Sequence, residues 1–203
     1  MSRRGADSGA EARLRAIFAR LRSELLAAHR AHRKVALLGQ PGGGKSTLLD
    51  LVTDRGCVPR PVIGQRTDAF EWSRWEDGPQ RPPVLRYRDF AFVDAPGYDT
   101  LAHPAEVFAE AFPFDVFDRI LLVLGGKVRA ADDRIWRALR QRSLTARTLV
   151  ARGFAESLTE EERAAVSAEL SGRFDGRFVL FSNRERTGLA EIGRFVGLAG
   201  DDR

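Results

Sequence analysis

Cysteine, histidine and lysine are scarce in this chain, and each scarcity closes off a class of chemistry. A single cysteine, Cys57, cannot build an intrachain disulfide framework and fits a reducing compartment, so a cytoplasmic setting is expected. The histidines, His29, His32 and His103, show no metal-ligand spacing with one another or with Cys57, which argues against a zinc site. No apolar run approaches the ~20 residues of a membrane span. Residues 1–10 are small, polar and basic with no apolar core, so no secretory leader is expected. Lys34, Lys45 and Lys127 are the only lysines, and the net charge of +5 comes almost wholly from arginine. Acidic residues are interleaved with those arginines throughout, and no RNA- or DNA-binding signature emerges.

What is present is enough for one domain: 203 residues, 43% of them hydrophobic. From Glu11 to about Ala31, Leu14, Ile17, Phe18, Leu21, Leu25 and Ala28 recur at helical spacing, with arginines on the other faces. This amphipathic helix leads into the next segment without a linker. Packing on the domain's own sheet is therefore favoured over docking on a partner or lying on an anionic membrane. Apolar runs at 35–38, 120–124, 147–151 and 177–182 read as buried strands, and they alternate with helices near 104–112, 131–142 and 188–198. Thr159 with Glu162 forms a capping box that opens a further helix. Residues 54–68 carry Gly56, Pro59, Pro61 and Gly64 and read as a loop. The runs Ala69–Glu76 (with Phe70, Trp72 and Trp75) and Val84–Val93 read as an antiparallel hairpin joined by a proline-rich connection. The expectation is a three-layer α/β domain whose sheet is mostly parallel.

The stretch from Gly39 through Gln40, Pro41, Gly42, Gly43, Gly44, Lys45 and Ser46 to Thr47 matches G-x-x-x-x-G-K-[ST], between an apolar strand and a helix. Glycines let backbone N–H groups approach a polyphosphate, and the helix start adds its positive end. Lys45 is placed to reach the β and γ phosphates, and the Ser46 hydroxyl to join a Mg²⁺ shell.

Asp94-Ala95-Pro96-Gly97 follows the apolar run ending at Val93. Asp94 at a strand end is placed to hold Mg²⁺ through water, and Gly97 offers an unobstructed backbone N–H to a γ-phosphate. Between these two motifs lies Thr67, whose hydroxyl is the candidate further Mg²⁺ contact. Thr53 lies too near the first helix for that role, and Thr100 lies beyond the second motif.

The order Gly39–Ser46, Thr67, Asp94–Gly97 resembles the Era-like and septin-like GTPases of the translation-factor-related class, and Pro41 is typical of Era-like members. The segment from Asp94 to Arg142 is also similar to immunity-related GTPases and their bacterial relatives, with Phe117-Asp118 at the entry to the fourth strand. The resemblance implies a Ras-like G domain of the P-loop class over residues 33–199, with one antiparallel strand in its sheet. It would be preceded by a disordered tail (1–10) and the helix (11–32), and followed by a short tail (200–203). It implies GTP or GDP with Mg²⁺ as ligands, Lys45, Thr67 and Gly97 as the groups serving hydrolysis, and Ser46, Thr67 and Asp94 around the metal. It also implies a protein partner or effector and, as is common in these families, dimerisation across the nucleotide face.

The chain departs from that pattern in three places. Gly42 stands where many Era-like proteins carry an asparagine associated with a potassium-assisted mechanism. Tyr98 stands where Ras-like enzymes carry a water-orienting glutamine. Most consequentially, the guanine-reading Asn/Thr-Lys-x-Asp is replaced: Arg152 falls at its first position, Gly153 at the lysine and Ala155 at the aspartate. Glu156 comes one residue late. The later base loop, Ser182-Asn183-Arg184, is recognisable by position. Three readings stay open: a GTP-binding switch with slow or partner-stimulated hydrolysis, a pseudo-GTPase scaffold with weak or no turnover, and a P-loop kinase or ATP-binding protein.

Overall fold

The computed structural model describes residues 3–28, 30, 32–63 and 84–198. Helix α1 (Arg3–Ala28) leads to β1 (Arg33–Gly39) and α2 (Lys45–Val52). After the undescribed stretch come β2 (Val84–Tyr87), β3 (Phe90–Asp94), α3 (Ala105–Ala111), β4 (Arg119–Leu124) and α4 (Ala130–Gln141). The chain closes with β5 (Thr148–Arg152), α5 (Glu160–Arg173), β6 (Phe178–Leu180) and α6 (Leu189–Val196). The strands form one sheet in the order β2-β3-β1-β4-β5-β6, parallel except for the edge strand β2.

Alternate residues of each buried strand face opposite layers, as strand geometry requires. Ala36, Leu38, Val93, Ile120 and Leu122 meet α1, α3 and α4, while Val35, Leu37, Phe92, Leu121 and Val123 meet Leu48 and Leu49 of α2 and Ile192 of α6. Both faces are covered, which is why these strands read as near-continuous apolar runs. Asp118 aligns β1 with β4: its N–H donates to the Lys34 carbonyl (2.9 Å), and its carboxylate accepts from the Lys34 N–H (2.8 Å).

Helix α1 buries Leu14, Ile17, Phe18, Leu21 and Leu25 against its own domain. Phe18 meets Phe108 edge-on at 5.0 Å and Phe112 at 5.2 Å, which fixes α1 on α3. Helix α1 is described from Arg3 onward, through Gly5 and Gly9, within the segment 1–10 that the sequence set apart as a disordered tail.

Val84–Val93 is not one strand. It folds back on itself as β2 and β3 through Arg88 and Asp89, with Val84 opposite Val93 and Tyr87 opposite Phe90. The turn uses Arg88 at φ 52°, so no glycine or proline announces it. The antiparallel strand is therefore Val84–Tyr87, and Ala69–Glu76 lies outside the described residues, as do Thr67 and residues 199–203. The Thr159–Glu162 capping box is formed: the Glu162 carboxylate accepts from the Thr159 N–H at 2.8 Å, and the Thr159 hydroxyl accepts from the Glu162 N–H at 3.3 Å.

Candidate functional site

The loop between β1 and α2 lies at the carboxyl ends of the central strands, where α/β sheets place their ligand crevices. Its shape depends on two close approaches. Gly39 has φ 152°, and a Cβ there would stand 2.2 Å from the Val123 carbonyl oxygen. Gly97 lies directly on the ring of Pro41, where a Cβ would come within 2.4 Å of it. The two phosphate motifs of the sequence are thus in van der Waals contact, glycine against proline. The Lys45 ammonium folds over the loop and donates to the carbonyls of Gly39 (3.1 Å) and Gln40 (3.0 Å).

Ser46 and Asp94, separated by a whole strand pair in sequence, meet at 2.5 Å, with the hydroxyl donating to the carboxylate. These are hard oxygen donors, the kind Mg²⁺ takes while keeping several waters and adding phosphate oxygens. Among the described residues there is no cluster of three or more His, Cys, Asp or Glu side chains able to hold a metal, so a cation here would depend on phosphate oxygens and water as well. The hydroxyls of Thr53 and Thr100 each bond within their own segment. The Thr53 hydroxyl donates to the Leu49 carbonyl at 2.7 Å, and the Thr100 hydroxyl accepts from the His103 N–H at 3.0 Å.

From Gly42 to Thr47 the loop floors a cavity of about 370 Å³ whose far wall is Gly153, Phe154, Glu156, Phe181, Asn183 and Arg184. That wall is the segment after β5 and the segment after β6. Arg152, expected to contribute, is buried at the end of β5 with its guanidinium turned back onto the Gly153 carbonyl, outside the lining. Burial lowers its pKa from the usual arginine value. Ala155 is buried, and its N–H donates to the Phe181 carbonyl at 3.1 Å. Phe154 adopts the left-handed conformation (φ 57°) and begins a 3-10 turn, Ala155–Ser157, that carries Glu156 to the cavity. A hydrogen bond from the Ser182 hydroxyl holds the Glu156 carboxyl below the usual range, so it is ionised at neutral pH. Ser182 is itself fully buried, and its oxygen accepts from the Glu185 N–H at 2.9 Å. Asn183 donates to the Gly44 carbonyl at 3.3 Å and so links the segment after β6 to the loop before α2.

Sequence reasoning placed Tyr98 and Gln40 near the phosphates but missed the residue they share. Tyr98 is fully buried, and its hydroxyl donates to Asp132 at 2.6 Å. Gln40 donates to the other oxygen of the same carboxylate at 3.1 Å, and the Arg129 N–H donates to it at 2.8 Å. Burial, with the neighbouring Asp132 charge, pushes the Tyr98 phenol well above its ordinary pKa. Nothing in sequence separates Asp132 from its neighbour Asp133, since both sit in the first turn of α4. Gln40, Pro41, Gly125, Lys127, Asp132 and Phe154 line a second cavity of about 310 Å³.

No family model matches the chain, and no curated protein matches its sequence. Solved structures do match its fold. An S. thermophilus NFeoB double mutant bound to GDP·AlF4⁻ superposes with a TM-score of 0.51 at 17% identity, over 81% of this chain and 63% of that one. An S. thermophilus NFeoB mutant bound to GMPPNP gives 0.52 at 19%, over 83% and 64%. The translation elongation factor SelB from Methanococcus maripaludis, in its apo form, gives 0.50 at 15%, over 81% of this chain and 32% of that one. The chain has the α/β Ras-like fold. The chain spans less than two thirds of the length of each of these three structures. The loop after α2 is pinned at its start. Val58 and Arg86 exchange backbone hydrogen bonds at 2.8 Å, and Arg60 donates to buried Asp50 at 3.1 Å. No helix among the described residues is long and apolar enough to cross a membrane.

Proposed function

We propose that the chain is a magnesium-dependent guanine-nucleotide switch with slow intrinsic GTP hydrolysis. The observation that carries this reading is a single cavity with Lys45 and Ser46 at one end, Ser46 bonded to Asp94, and Glu156, Asn183 and Arg184 at the other. In this reading the backbone of Gly42–Thr47 and the Lys45 ammonium bind the phosphates, and Ser46 and Asp94 hold Mg²⁺, Asp94 through water. The metal would neutralise charge between the phosphates. Thr67 and the Gly97 N–H respond to the γ-phosphate. Pro41 and the Asp94–Gly97 motif support an Era-like relationship.

Slow turnover follows from Tyr98. Its hydroxyl is committed to Asp132, so the residue after the second motif cannot orient water. Unassisted GTPase sites work on the order of 10⁻⁴ s⁻¹, and a group from a protein partner, or from a second copy docked on the nucleotide face, would accelerate this one. The same burial favours, as a second reading, a pseudo-GTPase scaffold without turnover.

Isothermal calorimetry with Mg²⁺ is expected to show GTP and GDP binding that Lys45→Ala abolishes and Ser46→Ala weakens about tenfold or more. Absence of binding by the folded protein would sink the proposal. Phosphate release no faster than the buffer control, despite tight binding, would select the scaffold.

A further inference from the structure

The wall opposite the phosphate loop contains two buried acceptors that have no hydrogen-bond donor among the described residues: Glu156 Oε2 and Asn183 Oδ1. Both residues line the same cavity. A buried, unpaired carboxylate oxygen is costly, and here no described residue donates to it. Neither group can turn away. Glu156 is held from behind by Ser182, whose own oxygen is fixed by the Glu185 N–H. The amide of Asn183 is oriented by Gly44: exchanging its oxygen and nitrogen would set oxygen against the Gly44 carbonyl.

The turn that presents Glu156 is braced throughout. Gly153 N–H donates to Leu124 O at 2.9 Å, the Ser157 hydroxyl donates to Phe154 O at 2.7 Å, and Arg163 reaches from α5 to Ala155 O at 2.6 Å. Phe154 itself is 45% exposed, a large aromatic at the boundary of both cavities. A left-handed phenylalanine with an open face is conformationally expensive and makes sense as a platform.

We infer that Glu156, with Asn183 as a second acceptor and Phe154 as the stacking face, reads the nucleotide base and selects guanine over adenine. This rests on the nucleotide-binding reading above and deepens it by naming the base reader. Guanine presents a ring N–H and an amino group side by side, two donors for an ionised carboxylate. Adenine offers its ring nitrogen lone pair at the corresponding place, which repels the carboxylate and leaves the acceptors unpaired. The carboxylate missing at Ala155 is thus replaced from the next position by a change of backbone conformation. Stacking on Phe154 is indifferent to the base, because every base has a π face.

The two contributions separate in one experiment: affinities of Mg·GTP and Mg·ATP for the wild-type protein, Glu156→Ala, Glu156→Gln and Phe154→Ala. The wild type is expected to prefer GTP by about tenfold or more. Both Glu156 variants bring GTP down to the level of ATP, and Gln, isosteric and able to keep the Ser182 contact, controls for local collapse. Phe154→Ala weakens GTP and ATP together by about tenfold and keeps their ratio. Equal GTP and ATP affinity in the wild type, or a preference that survives loss of Glu156, overturns the inference while leaving nucleotide binding intact. Failure of every nucleotide to bind strikes the underlying reading instead.

Discussion

Tyr98, which follows Gly97 beside the β1–α2 loop, serves structure. Its ring packs on Phe108 at 5.7 Å, and its hydroxyl supplies one of the donors that let the Asp132 carboxylate exist at 2% exposure. Burying a charge is tolerated only when its hydrogen bonds are made. Tyr98→Phe removes one donor without changing shape, and is expected to cost about 1–3 kcal/mol in urea unfolding. Its GTP hydrolysis rate per folded molecule should stay within about threefold of wild type, because in this reading the phenol never meets the attacking water; a loss on the hundredfold scale of a proton-transfer group would reassign it. Position alone made Tyr98 legible as a departure from the glutamine pattern. The hydroxyl's destination was not, because it depends on α4 packing across the sheet end.

At the scale of elements, α1 is the addition to a core that the sheet and its other helices already define. Its grip is apolar: Phe18 at 1% exposure packs edge-on against both rings of the stacked pair Phe108 and Phe112. The exposed pairs Arg22–Asp115 and Arg15–Glu110 add geometry more than stability. Phe18→Ala is expected to destabilise the domain by about 3–5 kcal/mol in chemical denaturation, whereas Arg15→Ala should cost under about 1 kcal/mol. The elements around the phosphate loop were legible because Val35–Leu38, the glycines and Lys45 each state a physical requirement in one residue type. Phe90–Val93 and Arg119–Leu124 were legible as buried strands for the same reason. Val84–Val93 was read as a single run because Arg88 makes its turn in a conformation usually left to glycine or asparagine. In the segment after β5, Glu156 was legible as a carboxylate one residue late, while the left-handed Phe154 that begins its 3-10 turn leaves no compositional trace.

For the whole molecule, the proposed ligands should act as structural members. A ligand at 100 times its Kd adds about 2.7 kcal/mol, which for a domain of this size raises Tm by roughly 5–10 °C. Thermal unfolding with Mg·GTP is expected to show that rise, and EDTA to remove most of it, since Ser46 and Asp94 would then face phosphate charge without the cation. An equal rise with and without EDTA would argue against the metal. The Asp132 carboxylate has a consequence of another kind. It takes hydrogen bonds from the phosphate loop, from the end of the second phosphate motif and from the start of α4. A lineage cannot exchange it for an apolar residue without stranding Tyr98 and Gln40, nor drop their donors while keeping the charge. Positions 40, 98 and 132 form one unit of inheritance, and homologues that lose one of the three should be found to have replaced the others with it.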